Sequence, residues 1–503
     1  MHTGHNLNKI KEIVSSNEMM RFEKEQFFKN NSYSYMKNAG KLVFQFIYKH
    51  FDNKQPIIVL CGPGNNGGDG FVIAKHLNEK GYQVEVYILT SKNSYRGDAL
   101  KALTEFGKEL KKISLFKLKK NALIVDAIFG IGLSRNIKGK LKKIFDQINK
   151  SNNRIVSVDI PSGVCSNTGE ILGSAIKADF TITFHRKKIG HVLGQGKKFS
   201  GKIKVVDIGF DQNKMKTQCL ENSPDLWIKY FPWKKTLDHK YSRGRVVVYG
   251  GQKEFTGATI LSAQAALRTG TGSVKIVCSK NTLQIYSVKF PSVLKTEVNS
   301  IPQLEYFLKK EKITSFLIGP GSGSNNKIKE ITKLILKKVK YVVLDADALT
   351  CFQGDLKTLY SLLDKDKIIT PHSGEFHKIF PNIKKDLNNI NKALSAVKLI
   401  KSNIILKGPC TVIVSHNKRI VISDHASPEL AVIGSGDVLS GLVVSLVGEK
   451  KMNPFLAGCS AVWLHGDIAK HYEKGLIAED LLQGIPNALK RLKKWKNYQI
   501  KNQ

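Results

Sequence analysis

Short, continuous apolar runs recur along the chain, and each ends in a turn rich in glycine or aspartate before a helical stretch begins. Ile57-Ile58-Val59-Leu60 leads into CGPGNNGGDG, ALIV at 122–125 into DAIFGIG, and IVSV at 155–158 into DIPSG. Strands without polar alternation are buried on both faces, and strands separated by helices run parallel. This confines the chain to α/β architectures. The rhythm lapses after Asp207-Ile208-Gly209 into polar sequence with Pro224, Pro232, Trp227 and Trp233, then resumes with VVVYGG at 246–251. FLIG at 316–319, VVLD at 342–345, IIT at 368–370 and IILK at 404–407 continue it. A length of 503 residues exceeds one ordinary domain. The expected division is a domain over 1–211, a linker over 212–235 and a second domain over 236–503.

Charge raises the question of a polyanionic partner, since 80 Lys+Arg against 41 Asp+Glu give +39. The excess is mostly lysine. Its short clusters (Lys111-Lys112, Lys119-Lys120, Lys142-Lys143, Lys337-Lys338, Lys493-Lys494) are scattered, without interleaved aromatics or an arginine stripe. They read as solvated faces, so no specific nucleic-acid partner is expected. The seven cysteines stand far apart with no CxxC pair, which suits reduced thiols. The opening MHTGHNLNKIKEIVSS lacks the basic and apolar regions of a signal peptide, and no apolar run approaches a membrane span. A cytoplasmic chain without membrane attachment is expected.

In open parallel sheets ligands bind beyond the carboxyl ends of the strands, which makes the turns candidate sites. Five glycines fall within residues 62–70, ahead of a helix expected over 71–80. Such a turn lets backbone N–H groups approach an anion, although neither GxGxxG nor a GK[ST] ending is present. Asp126 and Asp159 each end a strand before a small-residue turn. Either can cap a helix, hold a cation or exchange a proton.

In the second half, Gly434-Ser435-Gly436-Asp437 precedes an apolar helix. Backbone donors at a helix N-terminus with an adjacent carboxylate suit phosphoryl transfer, and also suit a simple capping turn. Lys407-Gly408-Pro409-Cys410-Thr411 and Thr370-Pro371-His372 end other strands. Asp345 and Asp347 share a strand end, where two acids position Mg²⁺ or cap a turn.

These motifs are familiar as a set. YMKNAG, CGPGNNGGDGFVIAKHL, VDAIFGIGL, VDIPSG and TFHRKKIGHVLGQGKKFSGKIKVVDIG resemble, in order, the NAD(P)H-hydrate epimerase family over about residues 10–210. The resemblance implies substrate contacts from Asn65, Asn66, Gly67, Gly68 and Asp69, and from Gly130, Ile131, Gly132, Leu133, Ser134, Arg135 and Asn136. It further implies K⁺ held by Asn66, Asp126 and Ser162, and Asp159 as the acid/base in contact with substrate, with Lys188 matching a family lysine. HKYSRGRVVVYGG, FTGATILSAQAALRTGTGSV, IGPGSG, LDADAL, TPHSGEF, LKGPCTVI and GSGDVLSG resemble the NAD(P)H-hydrate dehydratase family over about 236–490. Here the implied substrate contacts are Ala258, Gly321, His372 and Asp437, with Asp437 catalytic. The implied nucleotide contacts are Lys407, Gly408, Pro409, Cys410, Thr411 and Gly436, with Mg²⁺ required. Ile433 stands where a small or hydroxyl residue is usual.

The fold class so implied is α/β, an N-terminal Rossmann-like three-layer parallel sheet followed by a C-terminal ribokinase-like sheet. The two resemblances converge on nicotinamide nucleotides hydrated at C6. They imply epimerisation of the R and S forms, then dehydration of S at the expense of ADP, in a homo-oligomer. The choice of ADP rests on the fusion architecture. One rival reading is an ordinary small-molecule kinase with an accessory domain, which would leave a phosphorylated product; a second makes the first half a non-catalytic nucleotide-binding or RNA-associated module, in keeping with the +39 charge.

Overall fold

The computed structural model describes residues 11–29, 31–211, 215, 217–448, 451–472 and 474–501. The chain divides into a unit spanning Glu12–Thr217 and a unit spanning Gln218–Gln503 together with Lys11.

In the first unit seven strands make the main sheet: β1 (Ile57–Cys61), β2 (Val84–Ile88), β3 (Lys111–Lys112), β4 (Leu123–Ala127), β5 (Ile155–Val158), β6 (Phe180–Phe184) and β7 (Lys202–Val206). They form a sheet in the order β3-β2-β1-β4-β5-β6-β7, every pairing parallel. Every residue of β1, β4 and β5 is buried, as apolar runs without alternation require. The helices that bear on the site are α1 (Ser16–Lys29), α2 (Ser32–His50) and α3 (Asn65–Glu79). Helix α3 begins at Asn65, earlier than the glycine run suggests. The turn is itself helical because its glycines are packed: a Cβ at Gly67 would lie 1.8 Å from the Gly62 carbonyl oxygen, and one at Gly70 would lie 2.7 Å from Cys61 Sγ.

The second unit contains β8 (Cys219–Glu221), β9 (Arg245–Tyr249), β10 (Ser273–Cys278), β11 (Leu294–Glu297), β12 (Ser315–Ile318), β13 (Val342–Leu344), β14 (Lys367–Ile369), β15 (Asn403–Leu406), β16 (Thr411–Val414) and β17 (Ile420–Ser423). Their order is β11-β10-β9-β12-β13-β14-β15-β16-β17-β8. From β11 to β15 the sheet is parallel; β15-β16-β17 then pair antiparallel. That antiparallel hairpin departs from an all-parallel reading, and its turn closes through left-handed Lys418 (φ 66°). Residues 218–235 are also more than a connector. They carry β8 and the fully buried Trp227, because Leu220, Leu226, Ile228 and Phe231 share a core with Trp463.

The site-bearing helices here are α4 (Thr256–Thr269), α5 (Ser373–Ile379), α6 (Ser435–Leu446) and α7 (Pro454–Lys470). Helices α4 and α6 approach closely, since a Cβ at Gly441 would lie 2.3 Å from the Ser262 carbonyl oxygen. No helix among the described residues is long and apolar enough to cross a membrane.

Candidate functional site

In the first unit the ends of β1, β4 and β5 open into a cavity of about 660 Å³. Asn65, Asn66, Asp69, Gly130, Ile131, Gly132, Leu133, Ser134, Arg135 and Asp159 all line it. Gly67, Gly68 and Asn136 do not. The two glycines are buried packing positions, with Gly68 against Met36, and Asn136 is exposed. Tyr35, Met36 and Ala39 of the YMKNAG segment add an apolar wall.

Asp159 takes left-handed backbone (φ 63°) at the end of β5, an unusual conformation for a residue with a Cβ. Its carboxylate accepts from Thr183 Oγ1 at 3.0 Å and from Lys188 Nζ. Lys188, 1% exposed, also donates to Thr183 Oγ1 at 2.9 Å and to the Phe184 carbonyl at 3.1 Å. Burial pushes the Asp159 carboxyl up, but the Lys188 charge and hydrogen bond, aided by His191 and Thr183, outweigh it and hold the group below its usual range. His191 Nδ1 accepts the Lys188 N–H at 3.0 Å, so Nε2 carries the proton and donates to the Asp159 carbonyl at 2.9 Å. Burial, reinforced by Lys188, pushes His191 down to about 3, which keeps it neutral.

Asp126, wholly buried, accepts from Ser157 Oγ (2.9 Å), Ser162 N (2.8 Å), Ser162 Oγ (2.5 Å) and Ile128 N (3.3 Å). All these donors are neutral, and burial raises the carboxyl against their pull. Ser162 Oγ in turn accepts from Phe129 N at 2.9 Å. The Asn66 side chain lies against the neighbouring Gly130, and its buried Nδ2 has no hydrogen-bond partner among the described residues.

In the second unit the ends of β13, β14 and β15 and the N-terminus of α6 bring one lysine among four carboxyls. Lys407 Nζ lies 2.8 Å from Asp345 Oδ1 and 3.9 Å from Glu375 Oε2. Asp345 also accepts from Ser440 Oγ on α6, while Asp347 accepts from Gly323 N at 2.7 Å. Asp437, in the first turn of α6, is pushed up to about 7 by burial and by Asp345, with Lys407 opposing and Asp347 and Glu375 adding. Burial lowers Lys407, but Asp345 and Glu375 more than reverse this and keep it cationic.

The other expected residues fall around this cluster. Ser262 Oγ, 3.0 Å from both the Ala258 and Asp437 carbonyls, ties their turns together. Gly321 (φ 65°) packs against Phe255. A Cβ at Gly436 would lie 3.4 Å from Lys407 Nζ. Gly408 and Pro409 are exposed, Thr411 Oγ1 donates back to the Gly408 carbonyl at 3.3 Å, and Cys410 is buried. His372 caps α5: its Nδ1 accepts from Gly374 N at 2.9 Å, and Glu375 Oε2 accepts the His372 N–H at 2.8 Å. Ile433 is 99% exposed, so its side chain does not fill the turn.

Comparison with known proteins assigns both halves. Residues 32–190 match the YjeF-related protein N-terminus family, and residues 246–490 match the NAD(P)H-hydrate dehydratase family. A bifunctional NAD(P)H-hydrate repair enzyme of Dictyoglomus turgidum is 33% identical over 95% of this chain and 98% of its own length. The chain belongs to the bifunctional NAD(P)H-hydrate repair enzyme family. Members from Moorella thermoacetica (91% of this chain, 92% of the relative) and Escherichia coli (90% of each) are both 30% identical. A solved ribokinase-like superfamily protein from Enterococcus faecalis matches 56% of this chain and 99% of its own, at 22% identity and TM-score 0.49.

Against the other residues of this family member, sequence reasoning passed over Glu23, His191 and His465. Glu23 lines the first cavity from α1. His465 on α7 meets Ser435 Oγ at 3.1 Å, and burial pushes it down to about 4. The sequence signal for Glu23 and His465 is weak, one of two acids in MMRFEKEQFF and a lone histidine in an apolar helix.

Proposed function

We propose that the chain repairs hydrated nicotinamide nucleotides in two steps. The first unit interconverts the R and S epimers at C6 of hydrated NADH or NADPH. The second dehydrates the S form at the expense of ADP, giving NAD(P)H, AMP and phosphate. The observation that carries this reading is the presence in one chain of two separate strand-end sites, each an aspartate tied to a lysine, buried Lys188 in one and half-buried Lys407 in the other, beside a second carboxyl.

In the dehydratase site, Asp437 with a pKa of about 7 is matched to taking the proton of the S hydroxyl. The N–H groups at the start of α6 face the charge that develops there, and Lys407 neutralises nucleotide phosphate. Elimination of the phosphate so installed regenerates the dihydropyridine. Asp345, Asp347, Glu375 and Asp437 outnumber Lys407, an excess of negative charge that suits Mg²⁺ carried in with an anionic nucleotide, while no three of them converge on one metal position among the described residues. Mg²⁺ would supply charge neutralisation to the transferring phosphoryl group. Lys407, Thr411 and Gly436 would orient the nucleotide, with Gly408, Pro409 and Cys410 forming the turn.

In the epimerase site, ionised Asp159 exchanges protons at the C6 hydroxyl, held by Lys188 and by neutral His191. Asn66, Asp126 and Ser162 fit K⁺: a buried carboxylate held by neutral donors alone leaves negative charge for a cation, and all three side chains offer oxygen. K⁺ would fix the substrate's anionic part. A homo-oligomer is tested by light scattering of the purified chain. The decisive assay incubates mixed R and S hydrates with ADP and follows NADH absorbance. Full recovery at an enzyme-dependent rate is expected, and recovery of the S portion alone removes the epimerase assignment.

A further inference from the structure

Helix α1 is fixed over the cavity of the first unit. Ser16 N donates to Asn167 Oδ1 at 2.8 Å, Asp211 N donates to Gln26 Oε1 at 3.2 Å, and Phe22 stacks on His185 with centroids 4.8 Å apart. Phe22 also meets Phe210 edge-on at 5.6 Å. These contacts place the next residue, half-buried Glu23, on the wall shared by Asp69 and Asp159.

We propose that Glu23 is the second proton-transfer residue of epimerisation, donating to the C6 hydroxyl as it leaves. The proposal rests on the epimerase reading above. The groups around Glu23 are Asp159 at the end of β5, Lys188 in the short strand Lys187–Lys188, Asp69 on α3, and Asp98, Arg135 and Tyr35 on the cavity wall. Burial and the Asp159 charge, opposed by Lys188, push the Glu23 carboxyl up to about 7. Asp69 is likewise raised, by burial and then by Asp159 and Glu23. At neutral pH a Glu23 carboxyl that is about half protonated and an ionised Asp159 therefore share one cavity, and two titratable groups pushed apart in this way divide into acid and base.

The step balances. The Glu23 proton passes to the hydroxyl oxygen, the C6–O bond breaks, water departs, and the N1 lone pair forms the N1=C6 bond of an iminium cation. Water then adds to the opposite face; the new C6–O bond forms, the N1=C6 π pair returns to N1, and the surplus proton goes to Asp159. Proton return to Glu23 through solvent closes the cycle, with no oxidation or reduction.

The test uses the full chain, purified R hydrate and ADP, with recovery of NADH absorbance limited by epimerisation. Glu23→Gln is expected to lower kcat/KM for the R form by about 100-fold or more, the usual contribution of a positioned acid. Glu23→Asp, which keeps a carboxyl, is expected to restore about ten-fold of that. The wild-type profile should fall above about pH 7, where Glu23 loses its proton, and this limb should vanish in Glu23→Gln. Amide exchange of β5 and β6 peptides controls for folding of the first unit, and dehydration of pure S hydrate in the same sample controls for the coupled second step. A Glu23→Gln rate within about three-fold of wild type, retention of the basic limb, or equal losses in both variants overturns the proposal. Wild-type enzyme that does not accelerate R-form recovery over spontaneous epimerisation overturns the epimerase reading itself.

Discussion

Replacing Lys188 with methionine keeps the length of the side chain and removes its charge. In the native chain this lysine is 1% exposed and donates to Asp159, Thr183 and Phe184. The variant leaves the Asp159 carboxylate buried without its cation, and breaking one side of a buried pair costs about 3–5 kcal/mol. Asp159 can escape by taking up a proton, which caps the loss. With an unfolded pKa of roughly 3.9 and about 1.36 kcal/mol per unit, the cap is about 4 kcal/mol at neutral pH and about 1.5 kcal/mol at roughly pH 5. In the native chain the Asp159 carboxyl lies below its usual value, so its contribution to stability is present above the unfolded pKa and is lost only as pH falls through the folded one. In Lys188→Met burial is opposed mainly by the weaker pull of Thr183 and raises the folded value, so the deficit is largest at neutral pH and shrinks toward acid. All four tryptophans, Trp227, Trp233, Trp463 and Trp495, lie in the second unit, so their fluorescence during urea unfolding serves as an internal reference. Amide exchange of β5 and β6 peptides reads the first unit. Their opening free energy is expected to drop by about 2–4 kcal/mol at neutral pH and by about 1.5 kcal/mol or less at roughly pH 5. A drop below about 1 kcal/mol at neutral pH, or an equal drop at both pH values, refutes the reasoning.

Asp437→Asn is expected to lower S-hydrate dehydration by about 10²–10⁴-fold while R–S interconversion, followed by chromatography of the two epimers, continues. In the native enzyme dehydration should decline below about pH 7, where Asp437 takes up a proton and ceases to be a base; a flat kcat/KM from about pH 6 to 8 contradicts that role. ADP should support turnover better than ATP, with AMP and phosphate as products, and product analysis showing a wide preference for ATP rejects this. RNA should bind weakly and without sequence preference despite the +39 charge. A titration at about 0.15 M salt showing saturable, sequence-dependent binding tighter than about 10⁻⁶ M is the contrary result.

The strands were legible because burial on both faces leaves no polar alternation: the run at 57–60 is β1 (Ile57–Cys61), and that at 404–407 falls within one residue of β15 (Asn403–Leu406). The start of α3 was not, since five glycines read locally as a turn, and only the close approach of Gly67 to Gly62 explains why they are helical. Trp227 in a polar, proline-containing stretch likewise gave no local sign of the core it enters beside Trp463. Motif residues announced Asp159 and Asp437 but not what surrounds them. Glu23 comes from a helix more than a hundred residues away in sequence, and a helical register alone does not say which cavity its acidic face borders.

What the two sites share is an electrostatic device. In each, backbone of positive φ at a residue with a Cβ, Asp159 (φ 63°) in one and Ala346 (φ 44°) beside Asp345 in the other, turns the chain at the strand end. In each, a lysine meets that aspartate, buried Lys188 with Asp159 and half-buried Lys407 with Asp345. The paired carboxylate then acts as a fixed negative charge, and it raises a second carboxyl, Glu23 or Asp437, to about 7. Burial supplies the larger part of both shifts, and the paired aspartate is the next cause after it. A group with a pKa near the working pH is half-protonated there, so it gives and takes a proton with the least driving force lost in either direction. The lysines are therefore more than ion-pair partners. Each sits against the carboxylate whose charge tunes the neighbouring group, and losing either lysine should change the pH dependence of its own site as well as its stability.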